Sequence, residues 1–102
     1  MINFTGVAGT NDNDVVYTSQ DVGNFLEHIF YATAGSLSVQ VYINGAWSGD
    51  IAFEDLESTA PSVFVKTTTS TGKYRLIGRY KKIRFLQNGG TPSNVSGTHN
   101  EP

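Results

Sequence analysis

The sequence predicts a single small all-β domain, an antiparallel β-sandwich or jelly roll of about seven or eight short strands. Three observations predict this class. Apolar and polar residues alternate from residue 25 onward, turn signals recur every ~8–12 residues, and no stretch of helical length shows a helical period. A chain of 102 residues has the usual length of one domain and buries roughly two-thirds of its unfolded surface, which is enough for one thin core.

The first half of the chain contains the clearest strand. Residues 37–43 (LSVQVYI) alternate apolar and polar side chains, as a half-buried strand does. Asn44-Gly45 follows at once and predicts a type I′ turn, because both central residues of that turn need a positive φ. Residues 51–54 resume the alternation, so we expect them to pair antiparallel with 37–43. Val15–Thr18 is a further predicted strand.

Residues Phe25–Thr33 allow two interpretations. Residues 25–30 have the length of a short helix that Ser19 or Asp21 would cap. We favour a strand, because Ile29-Phe30-Tyr31 consists of β-prone residues.

The second half contains four more predicted strands and their turns. Ser62–Thr69 is β-branched and aromatic, and Thr71-Gly72 is a turn. Tyr74 and Leu76 then alternate with arginine, and Gly78 marks a bend or bulge. A strand around Ile83–Phe85 leads into a loop at residues 87–92, and Val95 lies in a last short strand.

The domain organisation follows from these elements. Residues 1–14, rich in Asn, Gly and Asp, are expected to be an N-terminal arm or loop, residues 15–98 the sandwich, and residues 99–102 a flexible tail. No apolar run approaches the ~18 residues of a membrane span, and the first residues lack the basic start of a signal peptide. We therefore expect a protein made in the cytosol that does not enter a membrane.

Groups able to catalyse or to bind a metal are few, and the sequence predicts no enzyme, no metal and no cofactor. The chain has no cysteine, which excludes disulfides and thiolate sites. His28 and Glu27 are neighbours on a strand and point to opposite faces, and His99 lies in the expected tail. Residues 11–14 (NDND) resemble half of a calcium loop but lack its glycine and its final glutamate, so an Asx-stabilised turn is the better interpretation.

Charge is strongly segregated along the chain. All seven Lys and Arg lie between Lys66 and Arg84, and eight of the nine acids lie at or before Glu57. We expect Arg75 and Arg79 to share one strand face and to pair with acids of the same or a neighbouring chain. Binding of single-stranded nucleic acid is the less favoured alternative, since the domain is net acidic. The charged residues predicted to make contacts are Arg75, Arg79, Lys81, Lys82, Arg84, Asp50, Glu54 and Glu57.

The single tryptophan, Trp47, is the last candidate interaction residue. It lies in a glycine-rich turn region, residues 44–49 (NGAWSG). We expect its ring to cap an open end of the core, because so small a fold needs the buried area of its one tryptophan. The alternative is an exposed ring that stacks on a sugar, as in carbohydrate-binding modules.

Two segments resemble small structural proteins of tailed bacteriophages. They are residues 41–54 (VYINGAWSGDIAFE) and residues 72–88 (GKYRLIGRYKKIRFLQN). The shared elements are an aromatic–small–glycine step into a strand ending in glutamate, a Tyr-Arg strand with a glycine, and an Ile-Arg strand running into an Asn-Gly loop. In this chain they are Trp47-Ser48-Gly49 to Glu54, Tyr74-Arg75 with Gly78, and Tyr80 and Ile83-Arg84 to Asn88-Gly89. The chain departs from the pattern at residues 55–61, where many such sequences carry an Asp-Gly hairpin.

The resemblance implies a β-sandwich of the virion. The expected role is a capsid decoration (cement) protein or a neck or tail component, made in the host bacterial cytoplasm. The implied partners are the major capsid protein or another virion protein and further copies of the chain. The alternative function is a carbohydrate-binding module or tail-tip component that uses Trp47.

Overall fold

The computed structural model describes residues 1–61, 63–69 and 72–101 and confirms an all-β sandwich. Within these residues there are ten strands and no helix, and therefore no helix of the length and apolarity that crossing a membrane requires. The strands are β1 (Ile2–Gly6), β2 (Val15–Thr18), β3 (Glu27–Ala32), β4 (Ser36–Ile43), β5 (Ala46–Trp47), β6 (Phe53–Asp55), β7 (Phe64–Val65), β8 (Lys73–Ile77), β9 (Lys82–Asn88) and β10 (Val95–Asn100).

Two antiparallel sheets enclose the core. The six-stranded sheet has the order β1-β10-β3-β8-β6-β7, and the four-stranded sheet has the order β2-β9-β4-β5. The predicted alternation places every second side chain of β3, β4, β8 and β9 between the sheets. Phe30 lies at the centre, with its ring against Phe53 and Tyr74 of its own sheet and against Phe85 of the opposite sheet.

The strand at residues 25–33 is confirmed, since residues 27–32 form β3. The predicted strand at residues 62–69 is shorter than expected. Only Phe64–Val65 is regular, and Ser62, like Thr71 of the predicted turn, lies outside the described residues. Thr68 beyond it is held instead by two hydrogen bonds to Leu37, one from its main-chain N–H to the Leu37 carbonyl at 3.0 Å and one from the Leu37 N–H to its hydroxyl at 2.8 Å.

The predicted turn after β4 is confirmed, but the strand beyond it pairs elsewhere. Asn44 and Gly45 have φ of 52° and 84°, as a type I′ turn requires. The two residues of β5 pair with β4, and two further main-chain bonds follow, from the Ser48 N–H to the Val41 carbonyl at 2.8 Å and from the Ile51 N–H to the Val39 carbonyl at 3.0 Å. The chain then crosses to the other sheet, where β6 pairs with β7 and β8. The expected pairing of residues 51–54 with β4 is therefore wrong, because Phe53 is buried in the core and Glu54 lies opposite Arg75 of β8.

Both ends of the chain differ from the expected arm and tail. The first residues form β1, an edge strand whose Phe4 packs into the core, and only residues 7–14 form a loop. Residues 95–100 form β10, which lies between β1 and β3, and His99 is fully buried. The composition of these segments is polar, but the paired main chain and the inward side chains make them part of the sandwich. Pro102 lies outside the described residues.

We expect Gly97→Ala to destabilise the fold, because Gly97 of β10 has no room for a side chain. A Cβ there would meet the Phe4 ring at 2.8 Å and Phe30 Cα at 2.9 Å, and it would lie closer still to the Ile29 carbonyl oxygen. Overpacking of this kind costs about 1–3 kcal/mol of unfolding free energy. Urea denaturation measures the loss. Gly90→Ala is the matched control, since a Cβ added there would have no atom within 4 Å beyond its own chain neighbours, and equal stability of the two variants would contradict the packing described for β10.

Candidate functional site

The outer face of the six-stranded sheet carries a central ion pair. Arg75 of β8 lies directly opposite Glu54 of β6, with 2.6 Å between its Nη2 and the Glu54 Oε1. Its Nε donates to the same oxygen at 3.1 Å, and its Nη1 lies 3.7 Å from the Glu27 Oε2. These contacts, the Glu54 hydrogen bond first, raise the pKa of the Arg75 guanidinium. The predicted pairing of arginine with an acid of the same chain is thus confirmed for Arg75.

Exposed apolar side chains surround this ion pair. Tyr31, Phe64 and Ile77 retain 45%, 64% and 51% of their accessible surface. The Lys73 ammonium lies 5.6 Å from the centre of the Tyr31 ring. We call this surface the Arg75 face; it consists of Glu27, Tyr31, Glu54, Phe64, Lys73, Arg75 and Ile77.

The outer face of the four-stranded sheet carries a second cluster, around Trp47. The Arg84 guanidinium lies 4.4 Å above the Trp47 ring, and the Tyr42 ring meets that ring edge to face at 5.3 Å. Arg84 also donates from Nε and Nη2 to the Gln40 Oε1, at 2.9 and 2.6 Å. The Gln40 amide in turn donates to Asp50 at 3.1 Å. We call these five residues the Trp47 face.

The position of Trp47 corrects one prediction. Its ring is half-buried on the outside of the sheet and takes no part in the hydrophobic core, so it does not cap an open end of that core. The Trp47–Arg84 contact is a cation–π interaction. One face of the ring is thereby covered by Arg84, and a sugar has only the opposite face to stack on.

The remaining predicted contact residues do not form one patch. Arg79 was expected to share a face with Arg75, but β8 ends at Ile77 and Arg79 lies in the exposed loop beyond it, where Gly78 turns the chain. Lys81 is exposed in the same loop, and Glu57 is exposed in the loop after β6. Lys82 lies opposite Tyr42, at the border of the Trp47 face. The basic residues between Arg75 and Arg84 are close in sequence but are therefore divided between two opposite faces and the loop that connects them.

The structure also contains a buried cluster that the sequence did not predict. His28 of β3 and His99 of β10 are register partners, with exposures of 1% and 0%. Their Nδ1 atoms lie 2.8 Å apart, the His28 Nε2 lies 2.9 Å from the Gly78 carbonyl oxygen, and the His99 Nε2 lies 3.1 Å from the Tyr17 hydroxyl. The burial of His28 could have been predicted from the alternation of β3, which places His28 on the same inward face as Phe30 and Ala32. No comparable signal marked His99, because its strand was expected to be a tail.

The proton positions in this cluster follow from its partners. A carbonyl oxygen only accepts, so the His28 Nε2 carries a hydrogen and donates to Gly78. Neutral His28 then has a lone pair on Nδ1, which accepts from an N–H on the His99 Nδ1. The Nε2 of His99 is left as an acceptor, and the Tyr17 hydroxyl donates to it. We call this chain, from Tyr17 through His99 and His28 to Gly78, the histidine relay.

The histidine relay keeps both imidazoles neutral. Burial lowers the pKa of His28, and burial followed by the nearby His28 ring lowers the pKa of His99 to about 4. The Phe4 ring stacks on His99 at 4.5 Å and covers one side of it. Both lone pairs of the relay already accept hydrogen bonds, and among the described residues no three His, Cys, Asp or Glu side chains come together as a metal site. The relay therefore links β2, β10 and β3 by hydrogen bonds between buried side chains.

The loop before β2 confirms the predicted Asx-stabilised turn. The Asp14 carboxylate accepts hydrogen bonds from the main-chain N–H groups of Asn11 and Thr10, both at 2.9 Å, and these bonds lower its pKa. The Asp12 carboxylate accepts from the Gly89 N–H at 2.7 Å. The acids of the loop thus bind main-chain donors and attach the loop to the end of β9.

Comparison with known proteins places the fold beside that of a prophage protein. No family model matches the chain, and no curated protein matches its sequence. A similar solved structure is the crystal structure of the SPBc2 prophage-derived protein YomS, with a TM-score of 0.63 and 14% sequence identity. The likeness covers 95% of this chain and 94% of that one, so the two proteins share their fold over nearly their whole length.

We expect the stability of the protein to fall as the pH is lowered from about 6.5 toward 4. In the unfolded chain the histidines take up protons near pH 6.5, whereas the folded state keeps them neutral to lower pH. Their contribution to the unfolding free energy is therefore fully present above pH ~6.5 and decreases as the pH falls toward the folded pKa values. Each histidine contributes a slope of up to about 1.4 kcal/mol per pH unit. Urea denaturation between pH 7 and 5, a range above the usual carboxyl pKa values, isolates this effect, and a constant unfolding free energy there would contradict it.

Proposed function

We propose that this chain is a non-catalytic structural protein of a bacteriophage particle that binds the capsid shell as a decoration or cement protein. The observation that carries the proposal is the Arg75 face, a sheet surface with exposed aromatic and aliphatic side chains around an ion pair that is already formed. Its partner in this proposal is the major capsid protein. The chain is made in the host cytoplasm and functions on the virion.

The composition of the Arg75 face suits a surface that becomes buried on binding. Aromatic residues and arginine are enriched in protein interfaces, whereas the other charged residues are depleted there. Tyr31 and Phe64 supply the aromatic area. The cations Lys73 and Arg75 are balanced by the anions Glu27 and Glu54, and Arg75 keeps its carboxylate partners whether or not a second protein covers it. A partner therefore has no unpaired arginine to neutralise.

The bacteriophage context is supported by the fold shared with a prophage-derived protein and by the sequence resemblance to structural proteins of tailed phages. The non-catalytic role is supported by the contacts of the histidines and of Arg84, which lie within the chain. The histidines are enclosed in the relay, and Arg84 is held by Gln40 and Trp47. These groups are engaged in hydrogen bonds and ring contacts within the sandwich.

A repeating shell makes a modest face sufficient for firm attachment. Each contact on a symmetric lattice adds to the others when one oligomer binds several subunits, so avidity greatly exceeds the affinity of one face. We therefore propose that the chain acts as a small homo-oligomer that bridges neighbouring capsid subunits. A neck or tail position would use the same face at far fewer sites.

The copy number in purified particles tests this role. Quantitative mass spectrometry of particles from a lysate that contains the gene product should find the chain at a copy number of the same order as the capsid subunits. Particles that lack the chain would contradict a virion role. Roughly a dozen copies or fewer would contradict decoration and would support a neck or tail position.

The face itself is tested by a pair of tyrosine substitutions. Tyr31→Ser on the Arg75 face should weaken binding to empty capsids tenfold or more, as the loss of a central interface tyrosine does. Tyr42→Ser on the opposite sheet is the matched control and should bind as the unmodified chain does. Co-sedimentation with capsids measures both. Equal binding of the two variants would exclude the Arg75 face as the contact.

A further inference from the structure

The four sheet edges of the sandwich are not equally protected. An exposed edge strand presents unpaired main-chain groups to other chains, and short, bulged or charged edges prevent such pairing. Strands β5 and β7 have two residues each, and β2 contains a bulge between Val15 and Tyr17. Strand β1 is different, because its five residues (INFTG) pair regularly with β10 and include neither a charge nor a proline.

The hydrogen-bond pattern shows which groups of β1 point outward. The Thr33 N–H donates to the Asn94 carbonyl in the register that joins β3 and β10. Hydrogen-bonded and non-bonded pairs alternate along an antiparallel ladder. The main-chain groups of Ser96, Thr98 and Asn100 in β10 therefore bond to β3, and those of the other β10 residues bond to β1. Their register partners on β1 are Ile2, Phe4 and Gly6. The main-chain N–H and C=O groups of Asn3 and Thr5 are therefore directed away from the sheet.

The side chains along this edge have a self-complementary order. Met1 and Val7, which flank β1, are exposed to 78% and 80% and are the most exposed large apolar side chains of the described residues. Asn3 and Thr5 lie between them and are exposed too. The order along the outer side is therefore apolar, polar, polar, apolar, and it is the same when the strand is read in the opposite direction.

We propose that β1 is a homodimerisation edge, where two copies of the chain pair antiparallel about a two-fold axis at Phe4. Asn3 of one copy then lies opposite Thr5 of the second, and each such pair exchanges two main-chain hydrogen bonds. Met1 lies opposite Val7 of the second copy, so the most exposed apolar side chains cover each other. The two six-stranded sheets become one continuous sheet across the axis.

A second copy fits this edge better than an unrelated strand does. The segment 1–7 carries no charged side chain, so two-fold pairing brings no like charges together. A shift of the register by two residues keeps the hydrogen bonds but sets Met1 or Val7 against a polar residue. The interface is small, so the dimer is expected to be weak and to depend on concentration. This inference does not depend on the proposed virion role.

Cysteine cross-linking tests the register, because the chain contains no cysteine of its own. Opposite residues of a hydrogen-bonded pair have Cα atoms about 5.5 Å apart, within reach of a disulfide. An equal mixture of Asn3→Cys and Thr5→Cys chains in a glutathione buffer should therefore yield chiefly the mixed disulfide. Homodimers of either variant as the main product would indicate a shifted register and would overturn the proposal.

Sedimentation of lysine variants tests the edge itself. Thr5→Lys places two like charges near the axis and should weaken dimerisation tenfold or more. Thr18→Lys makes the same change at an exposed position of the edge strand β2 and should leave dimerisation unchanged. Analytical ultracentrifugation over a concentration series gives the dissociation constants. A chain that stays monomeric at every concentration, or equal constants for both variants, would overturn the proposal.

Discussion

Two imidazole rings in the core of so small a sandwich are tolerated only when they are neutral and fully hydrogen-bonded, and the histidine relay meets both conditions. An unsatisfied polar group at these positions would cost about 1–3 kcal/mol. The relay connects Tyr17 of the four-stranded sheet with His99 and His28 of the six-stranded sheet, and it ends at the Gly78 carbonyl, where β8 turns away. It therefore joins β10 to β3 within one sheet and to β2 of the opposite sheet.

The surfaces follow from this internal arrangement. With β10 in the interior of its sheet, β1 becomes the edge, and it is the longest regular edge among the described strands. Each outer face holds one arginine by contacts within the chain, Arg75 by Glu54 and Arg84 by Gln40. Such faces are suited to contact with other proteins. The proposed roles, attachment to a shell and pairing at the edge, use different parts of the sandwich.

Much of the fold could be predicted because its signals are local. The alternation in β4, β8 and β9 and the Asn44-Gly45 turn depend on neighbouring residues only, and all are confirmed. The crossing of β6 to the other sheet could not be predicted, because it depends on the long-range pairing of Glu54 with Arg75. The ends of the chain were mistaken for an arm and a tail because their composition is polar. The burial of His99 depends on Tyr17 and His28, which are distant in sequence.

The proton positions of the histidine relay can be measured directly. The ¹⁵N chemical shifts of the two imidazoles at neutral pH report which ring nitrogen carries the hydrogen. We expect two neutral rings of opposite tautomer, with the hydrogen of His28 on Nε2 and that of His99 on Nδ1. Two rings of the same tautomer, or a ring that is protonated on both nitrogens at pH 7, would contradict this expectation.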